Sequence, residues 1–164
     1  MENTHWFRQS PDKPLFPDLL WSRPENKSRA GKLLIIGGNS FGFAAVGEAY
    51  AEAMKAGVGS CRVLLPHAVR KAVGQVLENA EFAPSNPSGG FSQEALSDWL
   101  EQADWADAVL LVGDMGHNSE TAIVLEKFLT KYTGQVTLTG DTLDLALTTP
   151  HVVYKRTDTL AIAS

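Results

Sequence analysis

Three short stretches of this 164-residue chain place glycines beside polar side chains just after an apolar run. The first is Gly37-Gly38-Asn39-Ser40-Phe41-Gly42-Phe43-Ala44. Glycines let a backbone approach a ligand closely, and the start of a following helix favours an anion or a polar group. The same residues suit a tight turn with close helix packing. No Gly-Lys-Ser/Thr follows at P-loop spacing, and Gly37, Gly38 and Gly42 have the wrong offsets for a Gly-x-Gly-x-x-Gly fingerprint. The second stretch is Gly113-Asp114-Met115-Gly116-His117-Asn118-Ser119. Asp114 stands where a sheet edge would hold a polar substrate, and His117 can donate a hydrogen bond, although a lone histidine is more often a surface or capping residue. The third is Thr139-Gly140-Asp141-Thr142-Leu143-Asp144. Asp141 and Asp144, three apart, would share a face of a helix. Such a pair can bind magnesium or act as unequal acid–base partners, but capping a helix N-terminus is the plainer reading.

Other reactive residue types fall away. Cys61 sits in an apolar run beside Arg62, whose side chain would point to the opposite face, so an inert core thiol is expected. His5, His67 and His151 show no metal-ligand spacing, and no metal site is predicted. Ser88-Gly89-Gly90 is not a nucleophile elbow. A single cysteine excludes a disulfide framework and a cysteine-based zinc site. The net charge of −5, from 14 basic and 19 acidic residues, argues against a nucleic-acid partner. No apolar run is long enough to span a membrane, and Met1-Glu2-Asn3-Thr4-His5-Trp6 lacks the regions of a signal peptide. The expectation is a cytoplasmic protein that acts on small molecules.

The three turns need elements to position them. Leu33-Leu34-Ile35-Ile36 reads as a strand buried on both faces, and residues 44–56, rich in Ala, Glu, Met and Lys, read as a helix stopped by Gly57. Further strands are expected at 61–65, 108–112, 135–139 and from 159. Helices are expected at 68–77, at 93–102 behind a Ser92 cap, and at 120–131 behind Asn118 or Ser119. Residues 84–90 are a loop by composition, and Trp99 and Trp105 are expected to cover the core edge. Strands alternating with helices predict an α/β fold with a mostly parallel sheet and helices on both faces. Residues 1–30 differ. Four prolines interrupt them, while Trp6, Phe7, Leu15, Phe16, Leu19, Leu20 and Trp21 make them apolar. They read as an extended arm lying on its own domain, residues 31–164, or on a partner subunit in a homo-oligomer.

Taken in order, the turns resemble the ADP/ATP-dependent NAD(P)H-hydrate dehydratase family, a branch of the ribokinase-like superfamily. The resemblance runs through Gly31-Lys32-Leu33-Leu34-Ile35-Ile36-Gly37-Gly38-Asn39, then Ala44, then Ala53-Met54-Lys55-Ala56-Gly57-Val58-Gly59. It continues at Val112-Gly113-Asp114-Met115-Gly116, similar to the family's Gly-Pro-Gly-Leu-Gly, and at Thr139-Gly140-Asp141-Thr142-Leu143, similar to Asp-Ala-Asp-Ala-Leu. It covers about residues 31–145 and implies a three-layer ribokinase-like fold. The implied activity is repair: hydrated NADH or NADPH is phosphorylated with ATP or ADP, magnesium accompanying the nucleotide, and loss of phosphate restores the double bond. On this resemblance Gly38, Asn39, Phe43 and Ala44 line the hydrate pocket. Gly113, Asp114 and Gly116 approach the dinucleotide, with His117 offsetting charge, and Asp141 orders the polar network near the phosphates.

The departures are specific. Phe43-Ala44 stands where the family has Tyr-x-Gly-Ala, Asp114 replaces a proline, and Thr139-Gly140 replaces the first Asp-Ala of the third motif. The C-terminal Gly-Thr-Gly-Asp that carries the family's catalytic aspartate and phosphate-binding amides is not in the sequence. The expectation is therefore a truncated chain, inactive alone. Two alternatives stand beside it: another ribokinase-like small-molecule kinase, and a non-catalytic nucleotide-binding or interaction domain.

Overall fold

The computed structural model of the chain describes residues 24–73, 77 and 79–162, together with positions 10, 12, 17, 18 and 22. Six strands form one sheet: β1 (Lys32–Ile36), β2 (Ser60–Pro66), β3 (Ala80–Ala83), β4 (Ala108–Leu111), β5 (Gln135–Thr139) and β6 (Thr159–Ile162), in the spatial order β3-β2-β1-β4-β5-β6. Every pairing is parallel. The chain winds outward from β1 in one direction and, from β4, in the other. This doubly wound order leaves a switch point between β1 and β4, where ligands of open α/β sheets bind.

Among the described residues six α-helices connect the strands: α1 (Ala44–Ala56), α2 (Arg70–Val73), α3 (Leu96–Trp105), α4 (Ser119–Lys131), α5 (Asp141–Ala146) and α6 (Pro150–Tyr154). Alternating side chains of the central strands feed two cores. Ile35, Val63 and Leu65 face α1 and α2 with Val46, Val69 and Val73. Leu34, Ile36, Leu64, Leu111 and Leu138 face α3, α4, α5 and α6. A sheet buried on both faces explains why the β1 sequence is continuously apolar rather than alternating.

The larger core is organised by aromatic rings. Trp99 meets Phe91 edge-on at 4.9 Å and Phe128 at 5.5 Å, and Phe128 stacks on Tyr132 at 5.1 Å. Trp99 is fully buried, at the centre of this core rather than at its edge as expected. Its indole Nε1 has no hydrogen-bond partner. Trp105 does lie outside, with the Arg62 guanidinium 4.0 Å and the Lys32 ammonium 5.7 Å from its ring. Arg62 points to the α3 face, where Nη1 donates to Gln102 at 3.0 Å, while Cys61 lies in the opposite core. Arg156 closes the far end of α4, donating to the carbonyls of Leu129, Tyr132 and Gly134. It satisfies acceptors that a helix C-terminus leaves open.

The structure alters several sequence expectations. The helix expected at 68–77 is, in its described part, a 3₁₀ turn at His67–Val69 followed by the short α2. Strand β3 was not foreseen, because Ala80-Glu81-Phe82-Ala83 is too short for a periodic signal and gains its order by pairing with β2. Ser92 sits at a helix start, but its Oγ is buried without a partner, so it supplies no cap. Asn118 is the cap of α4, its side chain accepting from Glu120 N at 2.8 Å. Most of the predicted arm lies outside the described residues. Its last part, the 3₁₀ turn Lys27–Arg29, leads to Ala30 and Gly31, whose carbonyls accept from Gly59 N and Ser60 N.

Two measurements test this packing. Trp99→Ala should lower unfolding stability in urea by about 3–5 kcal/mol. Trp99→Phe keeps a ring and deletes an unpaired N–H, so it should cost markedly less. A loss as large as that of the alanine variant would contradict the packing described. Burial pushes the Cys61 thiol from 9.0 up to about 11. The folded state thus holds its proton longer than the unfolded chain. This contribution to stability is complete below pH 9.0 and is lost as pH rises toward about 11. A Cys61→Ala variant should lack that part of the alkaline decline, and native Cys61 should resist thiol reagents until the protein unfolds.

Candidate functional site

The turns after β1, β4 and β5 come together at the carboxyl edge of the sheet, on either side of the switch point. Close backbone approach requires glycine at two positions. A Cβ on Gly37 would lie 2.6 Å from Val112 Cγ2 and 3.0 Å from the Gly113 carbonyl oxygen. Gly140 has φ 63 and ψ −143, a region nearly closed to other residues, and a Cβ there would lie 3.0 Å from Gly113 Cα. The three turns therefore interlock through Gly113.

Two carboxylates complete the lock. Asp141, at the start of α5, accepts from Met115 N at 3.3 Å through Oδ1 and from Gly116 N at 3.1 Å through Oδ2. Asp114, held in the left-handed region at φ 63, accepts from Ala45 N at 3.0 Å. That bond supplies a cap that α1 lacks locally, since its own N-cap residue is Phe43 and makes no side-chain cap. Asn39 ties the first turn to the second: Nδ2 donates to the Asp114 carbonyl at 2.6 Å, while Oδ1 accepts from Phe41 N at 2.7 Å. The buried Thr142 hydroxyl accepts from Thr139 N and donates to the Thr139 carbonyl, closing the third turn.

A fourth segment joins the site without having been foreseen. The Gly89 carbonyl accepts from Ser40 N, Ser88 Oγ accepts from Asn118 Nδ2, and the Phe91 carbonyl accepts from the Thr121 hydroxyl. The loop at 84–91 thus lies against both the first and second turns. Only composition marked it in the sequence, because its role depends mainly on carbonyls, with Ser88 Oγ adding a side-chain acceptor.

The candidate residues separate by placement. Gly38, Asn39, Gly113, Asp114, Gly116 and Asp141 belong to one contiguous network. Phe43 packs partly buried against the α1 core, Ala44 is exposed at the helix start, and His117 is exposed. Asp144 is also exposed and does not share the Asp141 bonds. The ring of Phe41 is 91% exposed at the tip of the first turn. A groove of about 550 Å³ opens beside the network, between α1 and the ends of β4 and β5. Glu48, Glu52, Asp114 and Asp141 line it over a floor of Leu110 and Val112. A second groove, about 610 Å³, runs from Asp141 and Asp144 along Leu143, Leu147 and Tyr154. Among the described residues no cluster of three or more His, Cys, Asp and Glu side chains is arranged to hold a metal ion. Both Asp141 oxygens accept backbone amides, which fixes the carboxylate against the second turn.

Removing the carboxylate of Asp141 leaves the amides of Met115 and Gly116 without their acceptor. Asp141→Ala is expected to lose about 1–3 kcal/mol of stability in denaturant. It should also raise hydrogen exchange at Met115 and Gly116 before that of the β4 core. Unchanged exchange at those two amides would show that Asp141 does not hold the turn.

Among the described residues no helix is long and apolar enough to cross a membrane. No protein-family model and no curated protein matches the chain. Among solved structures it is similar to a ribokinase-like superfamily protein from Enterococcus faecalis V583, with a TM-score of 0.61 and 18% sequence identity. The match covers 76% of this chain and 42% of that one, so the chain spans less than half the length of the solved protein. At this identity the likeness speaks to architecture: the chain has an α/β, ribokinase-like fold, with a parallel sheet flanked by helices.

Proposed function

We propose that this chain forms the substrate-side sheet edge of an NAD(P)H-hydrate repair protein, which dehydrates hydrated NADH or NADPH with ATP or ADP through a phosphorylated intermediate. The observation that carries the reading is the Asp141 carboxylate on the amides of Met115 and Gly116. It gives the aspartate of the third motif a physical reason to occur with the glycine turn of the second. The ribokinase-like fold and the meeting of all three turns at one switch point support the same reading. Each motif is short, but their joint use in one hydrogen-bonded network is what a ligand-binding edge requires.

Within this reading, the chain's own residues bind and orient. Asn39 and Asp114 fix the first turn against the second, Asp141 fixes the second against the third, and the α1 groove receives the ligand. The nucleotide would supply the phosphoryl group. Among the described residues no three His, Cys, Asp or Glu side chains are grouped to hold a metal ion, and the sequence has no Gly-Thr-Gly-Asp to remove a proton or hold the transferred phosphate. Phosphoryl transfer would therefore need groups outside these 164 residues.

Thermal shift and absorbance assays test this directly. Hydrated NADPH should raise the melting temperature in a saturable manner, since any ligand that binds only the folded state stabilises it. With ATP or ADP added, the chain alone should not restore reduced-nicotinamide absorbance. Turnover by the chain alone would refute the division of labour. No stabilisation by hydrated NADPH, NADPH, ATP or ADP would sink the repair reading and favour an interaction domain.

A further inference from the structure

The first turn has the composition of a phosphate cradle, yet its amides from Gly37 to Gly42 are already used. Gly37 N donates to the Leu64 carbonyl, Gly38 N to Gly113, Asn39 N to Gly42, Ser40 N to Gly89 and Gly42 N to Asn39. Phe41 N donates to Asn39 Oδ1 at 2.7 Å. Six consecutive N–H groups thus have protein acceptors. A phosphate-binding loop works by leaving such groups open toward the ligand.

One amide of the helix start behind the turn is occupied too. The Asp114 carboxylate lies 3.0 Å from Ala45 N, at the positive end of the α1 dipole. Asp114 holds a left-handed conformation there, which an aspartate tolerates better than most residues but does not prefer. The Asp114 carboxyl packs against Gly42, where an added Cβ would be in ordinary contact with it at 3.4 Å. In the second turn, Asp141 takes the Met115 and Gly116 amides. The adjoining groove adds Glu48 and Glu52, the latter paired with Lys55 at 2.6 Å, and no lysine or arginine lines it.

We propose that Asp114 is a built-in anion that excludes phosphate from this edge, so that the α1 groove selects an uncharged or cationic group bearing hydrogen-bond donors. This rests on the reading above only in treating the edge as ligand-binding, and it deepens it. An amide, hydroxyl or amine finds acceptors there, whereas the phosphates of a dinucleotide or nucleotide are directed elsewhere. Asp114 is then a specificity-determining residue.

The test uses inorganic phosphate, titrated at constant ionic strength into the wild type, Asp114→Gly and Asp114→Asn, with backbone amide shifts read by NMR. In the wild type, Ala45 should show no saturable shift. Asp114→Gly removes the carboxylate at a backbone geometry glycine accepts, and phosphate should bind at Ala45 about tenfold or more tightly than in the wild type. Asp114→Asn removes the charge but keeps an acceptor, so its gain should be smaller. Saturable phosphate binding at Ala45 in the wild type overturns the proposal. So does the absence of any gain in the variants, and if Asp114→Gly does not fold, Asp114→Asn decides alone. Because no dinucleotide is used, either result stands whether or not the chain binds hydrated NADPH.

Discussion

A parallel sheet gathers the starts of its helices at one edge, and every helix start brings N–H groups with no partner in the helix itself. In this protein part of that edge is satisfied from within. Asp114 caps α1 from 69 positions away, Asp141 holds two amides of the second turn from 25 and 26 positions away, and Asn118 caps α4 locally. Each carboxylate also ties one turn to another. If either were removed, a turn would lose both its acceptors and its neighbour. The geometry of the site therefore depends on two internal anions at the positive ends of backbone dipoles.

Packing beneath the edge makes those distances attainable. Gly37 and Gly140 bring backbone against the Val112–Gly113 segment, closer than any side chain would permit. The aromatic series from Phe91 through Trp99 and Phe128 to Tyr132 anchors the 84–91 loop, α3 and α4 to one another. That loop in turn holds the first and second turns through Ser40 and Asn118. A core residue such as Trp99 is thus connected to the turns at the sheet edge through packed neighbours.

Much of this was legible in the sequence because it is local. The apolar run Leu33-Leu34-Ile35-Ile36 ending in two glycines marks β1 and its turn, and the helix formers of residues 44–56 mark α1 with its Gly57 stop. The three turns could be picked out as a set, and the fold their resemblance implied, a ribokinase-like one, is the fold the chain has. What was not legible depends on distant partners. Strand β3 exists because β2 offers an edge, Ser92 stands at a helix start without bonding to it, and Trp99 is central because Phe91 and Phe128 close around it.

The sequence by itself determined the order of the central strands and longer helices, the parallel α/β class and the positions of the glycine turns, since hydrophobic period and backbone permissiveness act within a few residues. Only the tertiary structure decided what those turns offer. A glycine-rich turn ahead of a helix reads as an anion cradle until its amides are traced to their acceptors. Asn39 and Gly42 supply some of those acceptors within the turn, while Leu64, Gly89 and Gly113, with Asp114 at the helix start, bring the others from distant segments. Hydrogen bonds between segments far apart in the chain leave no periodic trace in sequence, so the change from open cradle to closed, acidic edge becomes visible only once the chain is folded.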